Sequence, residues 1–318
     1  MQPKQQGLIL LLFRLQIELT MKSNQYNRRE VRFAWLLIIP AFIFIGIIIF
    51  YPMVMAFYTS LHQVDLTRKA QGMPFIGFKN YIDILKSSGF WASINRTAYF
   101  TVVSIVIEMV IGFLIALLLN QKFWARGILR SLLLVPWALP ITVDAIMWKW
   151  IFNANYGAFN ALLKQIGLID SYRGWLTRPW SAMHCVIVAD VWKVTPLVAL
   201  LLLAGLQTIP REMYEAATVD GASWWRSLFS ITLPLLKPTL TVVLVMRTLD
   251  AFRVFDIVYI MTSGGPANAT KVISFMTYQE AFKFLNFGRG SALAYLITLI
   301  VALLAYIYTI NIGKHIEY

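Results

Sequence analysis

The stretch Glu215-Ala216-Ala217-Thr218-Val219-Asp220-Gly221, followed by Ile231, Leu233 and Pro234, is a short polar insert between two long apolar runs. As a spacing it reads E-A-A-x3-G-x9-I-x-L-P. Pro210 suits the first turn of a helix, where its missing N–H costs nothing. Glu212 and Glu215 then lie near that helix's positive end. Ala216 and Ala217 keep one face narrow, so that another surface can approach closely. Gly221 permits the backbone reversal that ends the helix. A second short helix is expected from Ser223, carrying Trp224, Trp225 and Phe229, with Pro234 and Pro238 leading back into apolar sequence.

What flanks the insert sets the class of protein. Of 318 residues, 59% are hydrophobic and 14% charged, and the mean hydropathy is +0.66. A soluble domain of this length does not carry so much apolar sequence, so the hydrocarbon core of a bilayer is read as its solvent. The formal charge of +13 sits beside apolar runs, as in Arg28-Arg29-Glu30-Val31-Arg32. That placement suits membrane headgroups and not nucleic acid. One cysteine, Cys185, excludes a disulfide framework, and His62, His184 and His315 make no metal-ligand spacing.

A spanning helix needs about 20 apolar residues to cross a core of about 30 Å. Six segments qualify: Phe33–Phe57, Ala98–Leu119, Ile128–Phe152, Ala182–Leu206, Thr239–Thr262 and Gly288–Asn311. Nothing alternates at period two, which argues against a β-barrel. The fold class is an all-α polytopic membrane protein with six transmembrane helices. Pro40, Pro52, Pro136, Pro140 and Pro196 fall in or beside these spans and are read mostly as packing kinks.

Arg28, Arg29 and Arg32 crowd the first span, and Lys122, Arg126 and Arg130 fill the short second connection. Basic density near helix ends marks the cytoplasmic side, so both termini and the insert are expected there. The division is then a cytoplasmic segment 1–32, a first span 33–57, an outer loop 58–97, a core 98–312 holding the insert at 207–238, and a cytoplasmic tail 313–318. Leu8–Phe13 is apolar but too short to span. It is either a weak interfacial helix or part of an over-extended start, with Met21 the natural first residue; the second reading is favoured.

The whole pattern resembles the permease subunits of type I ABC importers, and within them the maltose- and trehalose-type sugar permeases. Supporting runs are Ile146-Met147-Trp148-Lys149-Trp150-Ile151-Phe152 with Tyr156-Gly157, Asp190-Val191-Trp192-Lys193-Val194-Thr195-Pro196, and Ala204-Gly205-Leu206-Gln207-Thr208-Ile209-Pro210. Asp220-Gly221-Ala222-Ser223, Phe255-Asp256-Ile257-Val258-Tyr259 and Thr262-Ser263-Gly264-Gly265-Pro266 follow the same pattern. The resemblance implies that Glu215, Ala216, Ala217, Asp220, Gly221 and Ala222 form a cytoplasmic coupling helix and loop that docks on an ATP-binding subunit. It also implies a pair of such ATPase subunits using ATP and Mg, a second homologous permease and an extracytoplasmic sugar-binding protein. The chain has no G-x-x-x-x-G-K-[ST] loop of its own to cradle ATP. No cofactor, metal or catalytic residue is expected in it, and its location is the bacterial inner membrane.

Charged residues inside spans are costly, about 2.5–3.5 kcal/mol each at mid-bilayer, and mark pathways or internal pairs. Arg247, Asp250, Arg253 and Asp256 recur every three residues in the fifth expected span. They are either a self-neutralising ladder or, with Phe252, Phe255 and Tyr259 between them, a surface for sugar hydroxyls and ring faces. Asp250, Arg253 and Asp256 are likelier pathway residues than Arg247, which lies nearer the cytoplasmic end. Asp144 is expected to line an outer vestibule or reach interfacial water. Asp190 and Lys193 are expected to pair within one helix, while Glu108 needs a cross-helix partner that spacing does not name. The aromatic flank Trp148–Phe152 is read as an interfacial belt. Gly264-Gly265-Pro266 is read as a tight outward turn ending the fifth helix.

Two other functional classes compete with this reading. An ion-coupled secondary sugar transporter could use Asp144, Asp190 and Asp250, but leaves the E-A-A insert without a role. A membrane enzyme needs an acid cluster on a large aqueous loop, where only scattered Asp65, Asp83 and Asp170 occur. The substrate class implied by resemblance is a di- or oligosaccharide, or a glucosylated polyol.

Overall fold

A computed structural model of the chain describes residues 30–67 and 72–313. The expectations for residues 1–29, the start at Met21 among them, and for the final residues lie outside this range. Apart from isolated bridges joining His62 to Phe75 and Asp65 to Asn286, the described residues are helix and loop. The chain forms two compact units, residues 1–58 and 59–318.

The first unit is represented by α1, Glu30–Ser60, whose last two residues belong to the second unit. None of the apolar window of α1 is buried within the chain, as expected of a helix solvated by lipid or by another subunit. A wider π turn occupies Gly46–Phe50, directly before Tyr51 and Pro52. It makes room for the ring of Pro52 against the preceding turn.

In the second unit α2 (Lys79–Leu85) precedes the long α3 (Ser88–Asn120). The third expected span is two helices, α4 (Arg126–Ala138) and α5 (Ile141–Ile151), bent by 90° at Pro140. Next come α6 (Ala158–Gln165), α7 (Pro179–Gln207), α8 (Arg211–Val219) and α9 (Trp224–Phe252). The chain closes with α10 (Asp256–Met261), α11 (Ile273–Tyr278) and α12 (Phe287–Gly313).

Helix α7 is the axis of the fold, with 61% of its apolar window buried against 6% for α12. It packs along α3, where a Cβ on Gly112 would stand 2.8 Å from Val198, and along α9, where one on Gly205 would stand 2.5 Å from Thr239. Without water to drive apolar surfaces together, such close backbone approach is what gives membrane helices their packing energy. One apolar cluster gathers Phe100, Val186, Ile187, Ile257 and Phe275, and another gathers Ala116, Val198, Leu202, Leu206 and Leu236.

Polar links fix the loops at the end where α3 begins. Asn160 of α6 uses all four of its amide positions: it donates to the carbonyls of Asn153 and Arg173 and accepts from Arg173 N–H and the Trp175 indole. Thr97 accepts from the N–H of Ile273 at 2.9 Å, which ties α3 to the start of α11.

The fifth span departs from expectation. It begins at Trp224, directly after Ser223, and ends at Phe252, well short of Thr262. The short helix foreseen after Ser223 exists, but it runs straight into the span. Pro234 and Pro238 lie within the helix and do not start it, and a π turn at Leu228–Thr232 precedes Pro234 where its ring needs space. The chain then breaks at Arg253, and Gly264-Gly265-Pro266 follows the separate α10. The second span likewise starts ten residues early, at Ser88 and not Ala98.

Candidate functional site

Helix α8 ends as the sequence implies but starts one residue later. Pro210 stands at its N-cap with ψ 137°, outside the helix, and Arg211 begins the first turn. The other end closes through three backbone bonds: Asp220 N–H to Ala216 O, Gly221 N–H to Thr218 O, and Ala222 N–H to Ala217 O at 2.8 Å. That closure needs a left-handed residue, and Gly221 supplies it at φ +74°. Ser223 then caps the next helix by accepting from the N–H of Arg226.

Glu215, Ala216 and Asp220 are exposed, whereas Ala217 and Ala222 are half-buried. Exposed Met213 and Val219 lie on the same short helix, Val219 with 88% of its surface bare. These acids and bare apolar groups form a face that nothing covers among the described residues. Tyr214 turns the other way: it packs against the core around Leu206 and Leu236, and its hydroxyl lies 3.0 Å from buried Thr232 at the base of α9. Tyr214 thereby ties α8 to the foot of α9.

Of the ladder that was one of the two readings of the intramembrane charges, only the Asp250–Arg253 rung forms among the described residues. Arg247 is buried and grips both oxygens of Glu108, Nε at 2.7 Å and Nη2 at 2.8 Å; Nη2 also reaches Asp190 at 3.1 Å. Glu108 thus gains the cross-helix partner that the sequence required, and α3, α7 and α9 are joined mid-helix. The expected Asp190–Lys193 pair does not form. The Lys193 ammonium instead donates to the carbonyl of Leu139 at the α4–α5 break and stands 3.5 Å from that of Trp137. A proline break frees carbonyls, and in lipid they must be satisfied by a neighbour. Here the neighbour is a lysine of α7.

Of the residues singled out as a substrate pathway, Asp250 and Arg253 pair with each other at 3.1 Å and are more than half exposed. Arg253 stands past the end of α9 and Asp256 opens α10, so the row of charges is not on one helix. Phe252 is a correction: it is 6% exposed and packs with Ile273, Met276 and Leu293 as core. Asp144 is also a correction, being fully buried and so neither lining an open vestibule nor in contact with water in this chain. Its carboxylate and the indole N–H of Trp148, one turn later, have no hydrogen-bond partner among the described residues. Trp148 is no lipid belt either, since it packs on Trp192 and Phe152.

Tyr259 is partly exposed and has neighbours that the sequence reading missed. Its ring stacks on Phe255 at 5.5 Å and meets Tyr278 edge-on at 5.2 Å. Phe275 and Tyr278 come from α11, and with Phe282 they recur at three- and four-residue intervals. That helical aromatic stripe was the signal available for them. Asp250, Arg253 and Asp256 lie within nine residues of Tyr259 along the chain.

A family profile described as the binding-protein-dependent transport system inner membrane component matches residues 108–313. The trehalose/maltose transport system permease protein MalF of Thermococcus litoralis is 42% identical over 292 residues, covering 92% of this chain and 97% of that protein. The sulfoquinovosyl glycerol transport system permease protein SmoG of Agrobacterium fabrum is 40% identical, covering 82% and 84%. In fold, the chain is similar to one from a bacterial ABC transporter involved in the import of the acidic polysaccharide alginate, with a TM-score of 0.78 at 23% identity and coverage of 91% and 99%. The profile takes in the charge cluster, α8 and the aromatic end alike, and the chain belongs to the family of binding-protein-dependent transport system inner membrane components.

Proposed function

We infer that this chain is one of two permease subunits of a sugar importer powered by a separate ATPase. Its substrate class is a di- or oligosaccharide, or a glucosylated polyol, as the names of its relatives suggest. The observation that carries the reading is the bare Glu215–Ala216 face of α8, locked to α9 through Tyr214 and Thr232. A rigid lever with an unoccupied outer face suits a partner that moves. Glu215, Ala216, Ala217, Asp220, Gly221 and Ala222 are the docking elements, and a pair of ATP-binding subunits supplies ATP and Mg chemistry. Closure of those subunits switches the spans between inward- and outward-open arrangements.

The remaining assignments follow from the same reading. The membrane is the bacterial inner membrane, with both termini and α8 on the cytoplasmic side. A second homologous permease completes the pathway, and an extracytoplasmic sugar-binding protein delivers substrate to the aromatic end around Tyr259. The chain itself performs no catalysis.

The test is uptake of labelled trehalose and maltose by cells carrying Glu215→Lys. Uptake is expected to vanish while the protein stays in the membrane, and normal uptake would refute the lever. An ion-coupled mechanism is separated by an uncoupler: transport that stops while ATP remains high would favour it. Of the three acids considered for such a mechanism, Asp190 and Asp250 are engaged with Arg247 and Arg253, and Asp144 is the one left.

A further inference from the structure

A polar cavity of about 670 Å³ opens between the start of α4, the end of α7 and the start of α8. Arg126, Arg130 and Arg211 line it together with Asn120 and Gln207, and Trp124 at its edge has 93% of its surface exposed. With its oxygen turned inward, the Gln207 amide accepts from Arg126 Nη2 and Arg130 Nη2, each at 2.7 Å. Two guanidinium groups are thus gathered on one neutral oxygen. Among the described residues none of the three arginines forms an ion pair with a carboxylate. Arg126 Nε and Arg130 Nε are buried with no hydrogen-bond partner.

This arrangement is unfavourable by itself. Like charges four residues apart on a helix repel, and Arg126 and Arg211 stand at the first positions of α4 and α8, where each helix is already positive. Guanidinium donors left unbonded in a buried setting add to the cost. An anion with several acceptor oxygens relieves all three terms, and a phosphate matches the fork of an arginine. The walls also carry Phe123, Leu206 and Ile209, and the cavity lies where membrane-crossing helices end. Its surroundings are those of a headgroup and its first acyl carbons.

We propose that Arg126, Arg130, Arg211 and Gln207 form a binding site for the phosphate of an anionic phospholipid, seated beside the E-A-A helix. The bound lipid neutralises the arginines and bears on Tyr214, which lines the same cavity.

The full chain, extracted in mild detergent with the subunits that copurify, is mixed with phosphatidylglycerol or phosphatidylcholine and retained lipid is counted by native mass spectrometry. Retention of phosphatidylglycerol over phosphatidylcholine is expected. The double change Arg126→Gln, Arg130→Gln should lower it about 30-fold, the loss of two headgroup-facing cations. Gln207→Glu places an internal carboxylate against both guanidinium groups, so it should displace the lipid while keeping the fold. Unchanged retention in Gln207→Glu overturns the proposal, whether or not the double variant folds. Millimolar inorganic phosphate that displaces phosphatidylglycerol and stabilises the lipid-free protein equally well would assign the site to a soluble anion instead. Capture of the arginines by an acidic segment of a copurifying subunit, with no lipid retained, would overturn it too.

Discussion

Arg247 of α9 binds both carboxylate oxygens of Glu108 on α3, through Nε at 2.7 Å and Nη2 at 2.8 Å, with Asp190 of α7 at 3.1 Å as a third member. One guanidinium therefore ties together three membrane-crossing helices, one of which carries the E-A-A helix at its foot. The α9 helix is 29 residues long, about 43 Å at 1.5 Å per residue. The clamp lies between the foot of α9 at Trp224 and its end at Phe252, beyond which the aromatic end begins.

Removing one member of a buried charge cluster costs more than removing all of it, because the survivors stay buried and unpaired. Arg247→Met is expected to destabilise the protein by about 3–5 kcal/mol. Adding Glu108→Gln and Asp190→Asn should restore most of that loss. Thermal unfolding in detergent reads both effects; an Arg247→Met protein that melts with the parent would show that the clamp is not a structural tie.

Lys193 holds the carbonyls exposed where Pro140 interrupts the third span. Lys193→Met leaves them unpaired in a dry setting and is expected to cost about 1–3 kcal/mol. Lys193→Arg keeps donors within reach and should cost less. A melting temperature equal for Met and Arg variants would mean that the break is satisfied in another way.

Much of this arrangement was legible in the chain, and the exceptions have a common cause. The E-A-A helix and its glycine closure follow from local chemistry and read correctly, although Pro210 is the N-cap of that helix and not part of its first turn. The charges do not, because their pairing is decided between helices. Asp190 and Lys193 are three apart and look like partners, yet each has a better one across the interface: a buried guanidinium for the acid, freed carbonyls for the amine. Phe252 was misread for a similar reason. Its spacing with Tyr259 is uninformative once the helix breaks at Arg253, and the break turns Phe252 into the core while Tyr259 remains outside it.

Gly221 has open space around the position of a Cβ, so only its backbone angle resists substitution. At φ +74°, an alanine costs about 1–2 kcal/mol. Gly221→Ala is therefore expected to fold and reach the membrane but to fray the end of α8 and reduce uptake several-fold. Gly221→Asn, which tolerates the left-handed region, should recover much of the activity. If uptake falls equally in both, the glycine is needed for close approach of the partner and not for the turn.

Phe252 and Tyr259 provide the sharpest contrast between core and pathway. Phe252 is enclosed by Ile273, Met276 and Leu293, and Phe252→Ala should leave a cavity costing about 3–5 kcal/mol. Its uptake loss should track the amount of folded protein. Tyr259 is 38% exposed and meets the rings of Phe255, Phe275 and Tyr278. Tyr259→Ala removes an aromatic face and a hydroxyl available to a sugar ring, so it should raise the KM for uptake by roughly tenfold, about 1.4 kcal/mol of binding, with little change in melting temperature. Tyr259→Phe keeps the face and should recover most of the affinity. Unchanged KM in Tyr259→Ala would remove this residue from the sugar's path and move the search to the paired Asp250 and Arg253.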